Sequence, residues 1–321
     1  MWLLKTDCAQ LEYFSRNFDA DGGYAILSHT WEVKEQTFRE VRDIGERCKL
    51  AGTNAREDPN LSDKIRNYCR LAEEHGYRWA WADACCIDKT SSSELSESIN
   101  SMYRWYSDAE VCYAYLADVP HIPSDSNLDA PDWAAFRESR WHKRGWTLQE
   151  LIAPASVLFV TSTWKVSGSR ADLAECLWQV TGIPPSILTR RRTPSDYSLC
   201  TRMRWASQRQ TTRLEDEAYC LMGLFDVSMP TNYGEGERAF TRLQYEIMRK
   251  DTDLSLFAFG PTLPYGAFSR DGISLSPGET PSFITRFLLA SSPRQFDHAS
   301  VYTPNMGSNA RYPYPPSQVS R

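Results

Sequence analysis

The sequence predicts an α/β protein, a parallel sheet with helices on both faces followed by a mostly helical elaboration. Three observations carry that prediction. Between residues 24 and 161 four short apolar runs alternate with three stretches of helical period, which is the pattern of strands joined by crossover helices. Turn-forming residues punctuate the runs. Beyond about residue 165 strand-like runs give way to amphipathic helical segments.

Residues 24–28, YAILS, read as the first strand, entered through the turn signal Asp21-Gly22-Gly23. Residues 61–75 follow a helical period, with Ile65, Tyr68, Cys69 and Ala72 on one face and Gly76 closing the helix. RWAWADACCI, residues 78–87, reads as the second strand, with Asp83 and Asp88 near its end. Ser91 to Ser93 offer an N-cap for a second helix carrying Leu95, Ile99, Met102, Tyr103 and Tyr106. Residues 110–116 make a third strand, and a polar, Pro-containing loop over 118–132 leads into a helix read over 139–153. Pro154 stops that helix, and VLFVT, residues 157–161, is the fourth strand. The expected division is an α/β domain over 1–165, a helical region packed on it over 166–260, and a poorly ordered Pro- and Ser-rich tail over 261–321.

Composition narrows the function classes. The chain is 41% hydrophobic and carries a net charge of −5, so it has material for a core and no overall attraction to nucleic acid. No apolar run approaches the roughly 20 residues of a transmembrane helix, and the N-terminus lacks the basic and apolar regions of a secretory signal. Nine cysteines without a C-x-x-C pair read as buried free thiols in a reducing, cytoplasmic setting. The same spacing, with five scattered histidines, gives no metal site. Arg190-Arg191-Arg192 reads as a solvated loop.

The segment SRWHKRGWTLQELIA, residues 139–153, is the most informative stretch. As a helix it sets Gln149 and Glu150 within an apolar surface made by Trp146, Leu148, Leu151 and Ile152, with Lys143 and Arg144 upstream. A carboxylate so placed is a candidate for desolvation, and such groups concentrate at functional sites. Taken alone, a solvated Glu150 paired with Arg144 or Lys143 is the plainer reading. In a parallel sheet, however, ligands bind at the carboxyl ends of the strands. There Ser28, His29 and Trp31 follow the first strand, Asp83 and Asp88 the second, and Glu150 the third. Asp83 and Asp88 first suggest loop organisation and only second a ligand contact. Trp146 reads as core, whereas Trp31 is balanced between packing and stacking on a ligand. Ser28 and His29 point apart as strand neighbours and lack a G-x-S-x-G elbow, which argues against a serine hydrolase. Gly234 and Gly236 lack the strand and full pattern of a phosphate loop.

Three ordered blocks carry a resemblance. They are YAILSHTW (24–31), WADACCID (81–88) and RGWTLQEL (144–151), trailed by DEAYCLMG (216–223) and YGEG (233–236). Together they resemble the heterokaryon incompatibility (HET) domain of filamentous fungi, with Glu32 and Ala82 as mild departures. The resemblance implies a role in programmed cell death when genetically different cells fuse. The HET domain in turn resembles the TIR domain, which implies a TIR-like, flavodoxin-like sheet. Trp146 to Glu150 has the spacing of the TIR W-C-x-x-E-L motif, with Thr147 in place of Cys. That implies Glu150 as the catalytic carboxylate of an NAD glycohydrolase, with NAD as substrate and no bound cofactor.

Under that implication Ser28, His29, Trp31, Asp83, Asp88, Arg144 and Trp146 surround the substrate. A carboxylate facing the oxocarbenium-like ribose is what the chemistry needs, since nicotinamide departs neutral. The expected geometry is one pocket of roughly 300 Å³ or more at the sheet edge, with Glu150 partly buried and kept ionised. The other reading is a non-catalytic module that kills by self-association or by recruiting other incompatibility or sensor proteins. Abundant aromatics suit such interfaces.

Overall fold

The computed structural model describes residues 1–15, 22–32, 34–120, 122, 133–259, 268–269, 272–273 and 289–297. Its centre is a seven-stranded sheet. The strands are β1 (Trp2–Lys5), β2 (Gln10–Tyr13), β3 (Ala25–His29), β4 (Trp79–Trp81), β5 (Val111–Leu116), β6 (Val157–Thr161) and β7 (Val166–Ser169). They lie in the order β2-β1-β4-β3-β5-β6-β7. The four strands expected from the sequence are parallel to one another, β3 pairing with β4 and β5, and β5 with β6. Every residue of β3 and β5 is buried, as strands covered on both faces should be.

The sheet is nonetheless mixed, which corrects the expectation of a purely parallel one. The β1–β2 hairpin adds antiparallel to the outer edge of β4, and β7 adds antiparallel to β6. The reason is connection length: β6 and β7 are joined by a turn too short for a crossover, and only an antiparallel return fits it.

Helices α1 (Phe38–Ala51) and α2 (Asp63–Glu74) connect β3 to β4. Thr37 and Glu40 close the start of α1 as a capping box, Ser62 caps α2, and Gly76 follows α2 with a φ of 86°. Helix α3 (Ser92–Asp108), capped by Ser91, connects β4 to β5. It sets Trp105 and Tyr106 edge-on against Trp81. On the other side of the sheet, the Tyr68 hydroxyl of α2 donates to the carbonyls of Ala25 and Trp81.

Two elements differ from their sequence reading. Residues 78–87 extend only over Trp79–Trp81. The Ala82 carbonyl then accepts from the amides of both Cys85 and Cys86, which turns the chain away from the sheet. All nine cysteines are free thiols. The helix read over 139–153 is broken into a 3₁₀ turn (Arg140–Lys143) and α5 (Thr147–Ile152), after the short α4 (Ala134–Glu138). Between them Arg144 is extended and bridges Gln210, with Gly145 N–H donating to Gln210 O at 2.8 Å and Gln210 N–H to Lys143 O at 2.7 Å. A long-range pairing that no local period reveals overrides the helix.

Beyond the sheet, α6 (Ala174–Thr181), α7 (Pro185–Leu188), α8 (Leu199–Ser207), α9 (Asp216–Tyr219) and α10 (Arg238–Lys250) share one continuous buried core with it. Part of the stretch read as tail packs here as well. Ala290 and Phe296 are buried, and the Gln244 side chain bonds both backbone groups of Ala290. Apart from residues 268–269, 272–273 and 289–297, the stretch 261–321 lies outside the described residues.

Candidate functional site

The carboxyl ends of β3 and β4 bring the three sequence blocks together, but not into one pocket. Strand alternation sends Ser28 and His29 to opposite faces of the sheet. On the α5 face, the Ser28 hydroxyl donates to Glu150 Oε2 in a short contact and accepts from Trp141 Nε1 at 2.8 Å. Both Ser28 and Trp141 are fully buried, and Glu150 is 8% exposed. On the α2 face, His29 lies 3.7 Å from Glu35, which accepts from Lys64 Nζ at 2.6 Å. Asp83 stands at the rim between them. Its carboxylate accepts from Trp31 Nε1 at 2.8 Å and lies 3.7 Å from His29 Nδ1. The Trp31 ring is 40% exposed and carries the Lys89 ammonium 3.7 Å from its centre.

The two faces hold carboxyl groups in opposite states. Burial pushes the Glu150 carboxyl up to about 8, against the Ser28 hydrogen bond, and the charge of Asp83 pushes the same way. Glu150 is therefore mostly protonated near neutral pH, which corrects the expectation that nearby cations keep it ionised. Arg144 Nη1 donates instead to Thr212 at 3.1 Å, drawn there by the bridge to Gln210. Burial would also raise Glu35, but His29, the amide of Glu32 and Lys64 together hold it at about 2. An acid and a carboxylate thus flank one sheet edge, which is how acid and base roles separate.

The remaining residues resolve as follows. The Asp88 carboxylate accepts from the amide and hydroxyl of Thr90 and organises its own loop. Trp146 is partly buried against the core. Four cavities found among the described residues are lined by other residues. The buried Trp141 lies against Ser28 through its Nε1–H. Among the described residues no group of three His, Cys, Asp or Glu side chains could hold a metal, and no helix is long and apolar enough to cross a membrane. The amides of Gly234 and Gly236 are both taken by Glu215.

Sequence reasoning missed several groups that set this geometry. Trp141 lay inside the quoted segment but was read only as part of a helix. Arg170 is buried and donates to the carbonyls of Leu151, Pro154, Ala155 and Leu188, clamping the end of α5. Arg209 is buried as well and donates to Thr147 Oγ1 at 2.9 Å and to Arg144 O at 2.8 Å at the start of α5. A buried Arg answering carbonyls has no local sequence signature.

Comparison with known proteins agrees with the blocks. Residues 24–135 match the model of the heterokaryon incompatibility protein (HET) family, and residues 238–308 match a domain of unknown function, DUF8212. The chain is 46% identical over 233 residues to the vegetative incompatibility protein HET-E-1 of Podospora anserina. That alignment covers 71% of this chain and 16% of the relative, so the chain spans about one sixth of the curated protein it matches. No solved structure matches it. The first two sequence blocks lie inside the matched region, the third continues within the alignment's family likeness, and the chain belongs to the heterokaryon incompatibility (HET) domain proteins.

Proposed function

We propose that this chain is a vegetative incompatibility effector, a cytoplasmic protein whose HET domain triggers cell death on contact with non-self, and that it acts by hydrolysing NAD at Glu150. The observation that carries the mechanism is the meeting of Ser28 and Glu150 at the carboxyl edge of β3, with Asp83 and Trp31 at the rim. The parallel strands β3, β4, β5 and β6 also run in the order second, first, third, fourth. That order is the flavodoxin-like one and supports the TIR-like reading.

In this mechanism the C–N bond between ribose and nicotinamide breaks with its electrons going to nicotinamide. Water adds to the ribose carbon and releases a proton. Glu150 faces the cationic ribose. The positive charge of bound NAD would favour its ionised form, and Ser28 would hold the carboxylate by its hydroxyl. Trp31, pinned by Asp83, would stack on the base. Incubating concentrated protein with NAD and following nicotinamide tests this. Release that is lost in Glu150→Ala is expected, and release no greater than in Glu150→Ala, even under crowding, overturns it.

One observation favours a second reading, a non-catalytic module that kills by self-association or by recruiting partners. The Ser28–Glu150–Trp141 cluster is buried, and a protonated acid bonded to Ser28 also serves as an internal tie. In that case a folded Glu150→Gln protein retains killing when expressed in cells.

A further inference from the structure

A second site lies behind α5, away from the sheet edge. A cavity of about 590 Å³ opens between the 3₁₀ turn at Arg140–Lys143, the end of α6 and α8. Its volume is within the range of small-molecule sites. Its wall carries four cations, Arg137, Lys143, Arg204 and Arg209, against one carboxylate, Asp297. On a chain of net charge −5 that concentration of positive charge is local and opposite to the whole.

Two of the lining side chains are more than nine-tenths buried and keep an unpartnered polar atom. Arg209 is 6% exposed and leaves Nη2 without a hydrogen bond, although its other nitrogens reach Trp205 O, Arg144 O and Thr147 Oγ1. His142 is 5% exposed and leaves Nδ1 without one, while Nε2 contacts Phe136 O at 2.8 Å. With its proton on Nε2, the imidazole presents Nδ1 as an acceptor. Buried polar atoms are almost always satisfied, so unmet groups on residues that line a cavity mark a place where a partner can be taken up. Asp297, the one carboxylate among the described lining residues, is itself engaged, accepting from Ser207 Oγ at 3.1 Å.

We propose that this cavity binds a small phosphorylated ligand. Its phosphoryl oxygens meet Arg209, Arg204 and Lys143, because guanidinium groups bond phosphate in charge-assisted pairs. Arg209 also bonds Thr147 at the first turn of α5, so an occupied cavity bears on the helix that carries Glu150. The proposal stands whether or not Glu150 cleaves NAD.

Isothermal titration calorimetry of the full chain with inorganic pyrophosphate, ribose 5-phosphate and ribose, at physiological salt, tests it. Saturable binding of the two phosphorylated probes, with ribose silent, is expected. The double variant Lys143→Glu, Arg204→Glu, at exposed and half-buried positions, should weaken binding at least about tenfold, a change of about 1.4 kcal/mol, while circular dichroism shows an unchanged fold. Absence of saturable heat with both phosphorylated probes overturns the proposal. So does ribose binding as tightly as ribose 5-phosphate, or affinity that the charge reversals leave unchanged.

Discussion

Ser28 and Glu150 are 122 positions apart in the chain and share a buried hydrogen bond. The contact joins the first block to the third across β3 and α5. It also fixes the order of donation, because Ser28 accepts from Trp141 and gives its own proton to Glu150.

Ser28→Ala removes both bonds at once and leaves Trp141 Nε1 and Glu150 without their partner. An unsatisfied buried polar group costs about 1–3 kcal/mol. Urea denaturation should show a loss in that range. A change within experimental scatter would show that the cluster does not hold β3 to α5.

Glu150 makes stability depend on pH with a defined sign. Its carboxyl lies at about 8 in the fold against 4.5 for the free side chain, so the folded state binds more protons between those values. Stability conferred by the neutral acid is full below about pH 4.5 and is lost as pH rises through 8. At about 1.4 kcal/mol per unit the effect is on the order of a few kcal/mol. Glu150→Gln should flatten that decline when unfolding is compared at pH 5 and pH 8. Glu35 acts at the opposite end, since its lowered carboxyl gives stability above 4.5 that is lost as pH falls toward 2.

Trp31 is exposed, so Trp31→Ala should change stability by less than about 1 kcal/mol. If NAD is the substrate, loss of stacking worth about 0.5–1.5 kcal/mol should raise KM by up to about tenfold with a smaller effect on kcat. Steady-state nicotinamide release measures both.

Arg170→Lys should cost about 2–4 kcal/mol, because an ammonium cannot reach the carbonyls that the buried guanidinium joins at the end of α5. Thermal unfolding of the variant checks this. An unchanged midpoint would remove Arg170 from the support of α5.

Gly223→Ala tests the seam between sheet and helical region. An added Cβ would collide with the side chain of Tyr103 on α3. Overpacking of this kind costs about 1–3 kcal/mol, to be read from the urea midpoint.

The sequence by itself determined the four parallel strands, the caps of α2 and α3, and the edge at which Ser28, Asp83 and Glu150 would meet. Apolar period and capping chemistry act within a few residues, and the strand-end rule needs only element order. The tertiary structure decided the rest. It broke the helix at Arg144 through Gln210 and set Trp141 against Ser28. It also set the protonation of Glu150, because that depends on the dielectric around the carboxyl and on Asp83, a neighbour that only folding supplies. Local patterns encode which face of an element is apolar. They do not encode which distant residue will lie against it, and at this site that choice governs the chemistry.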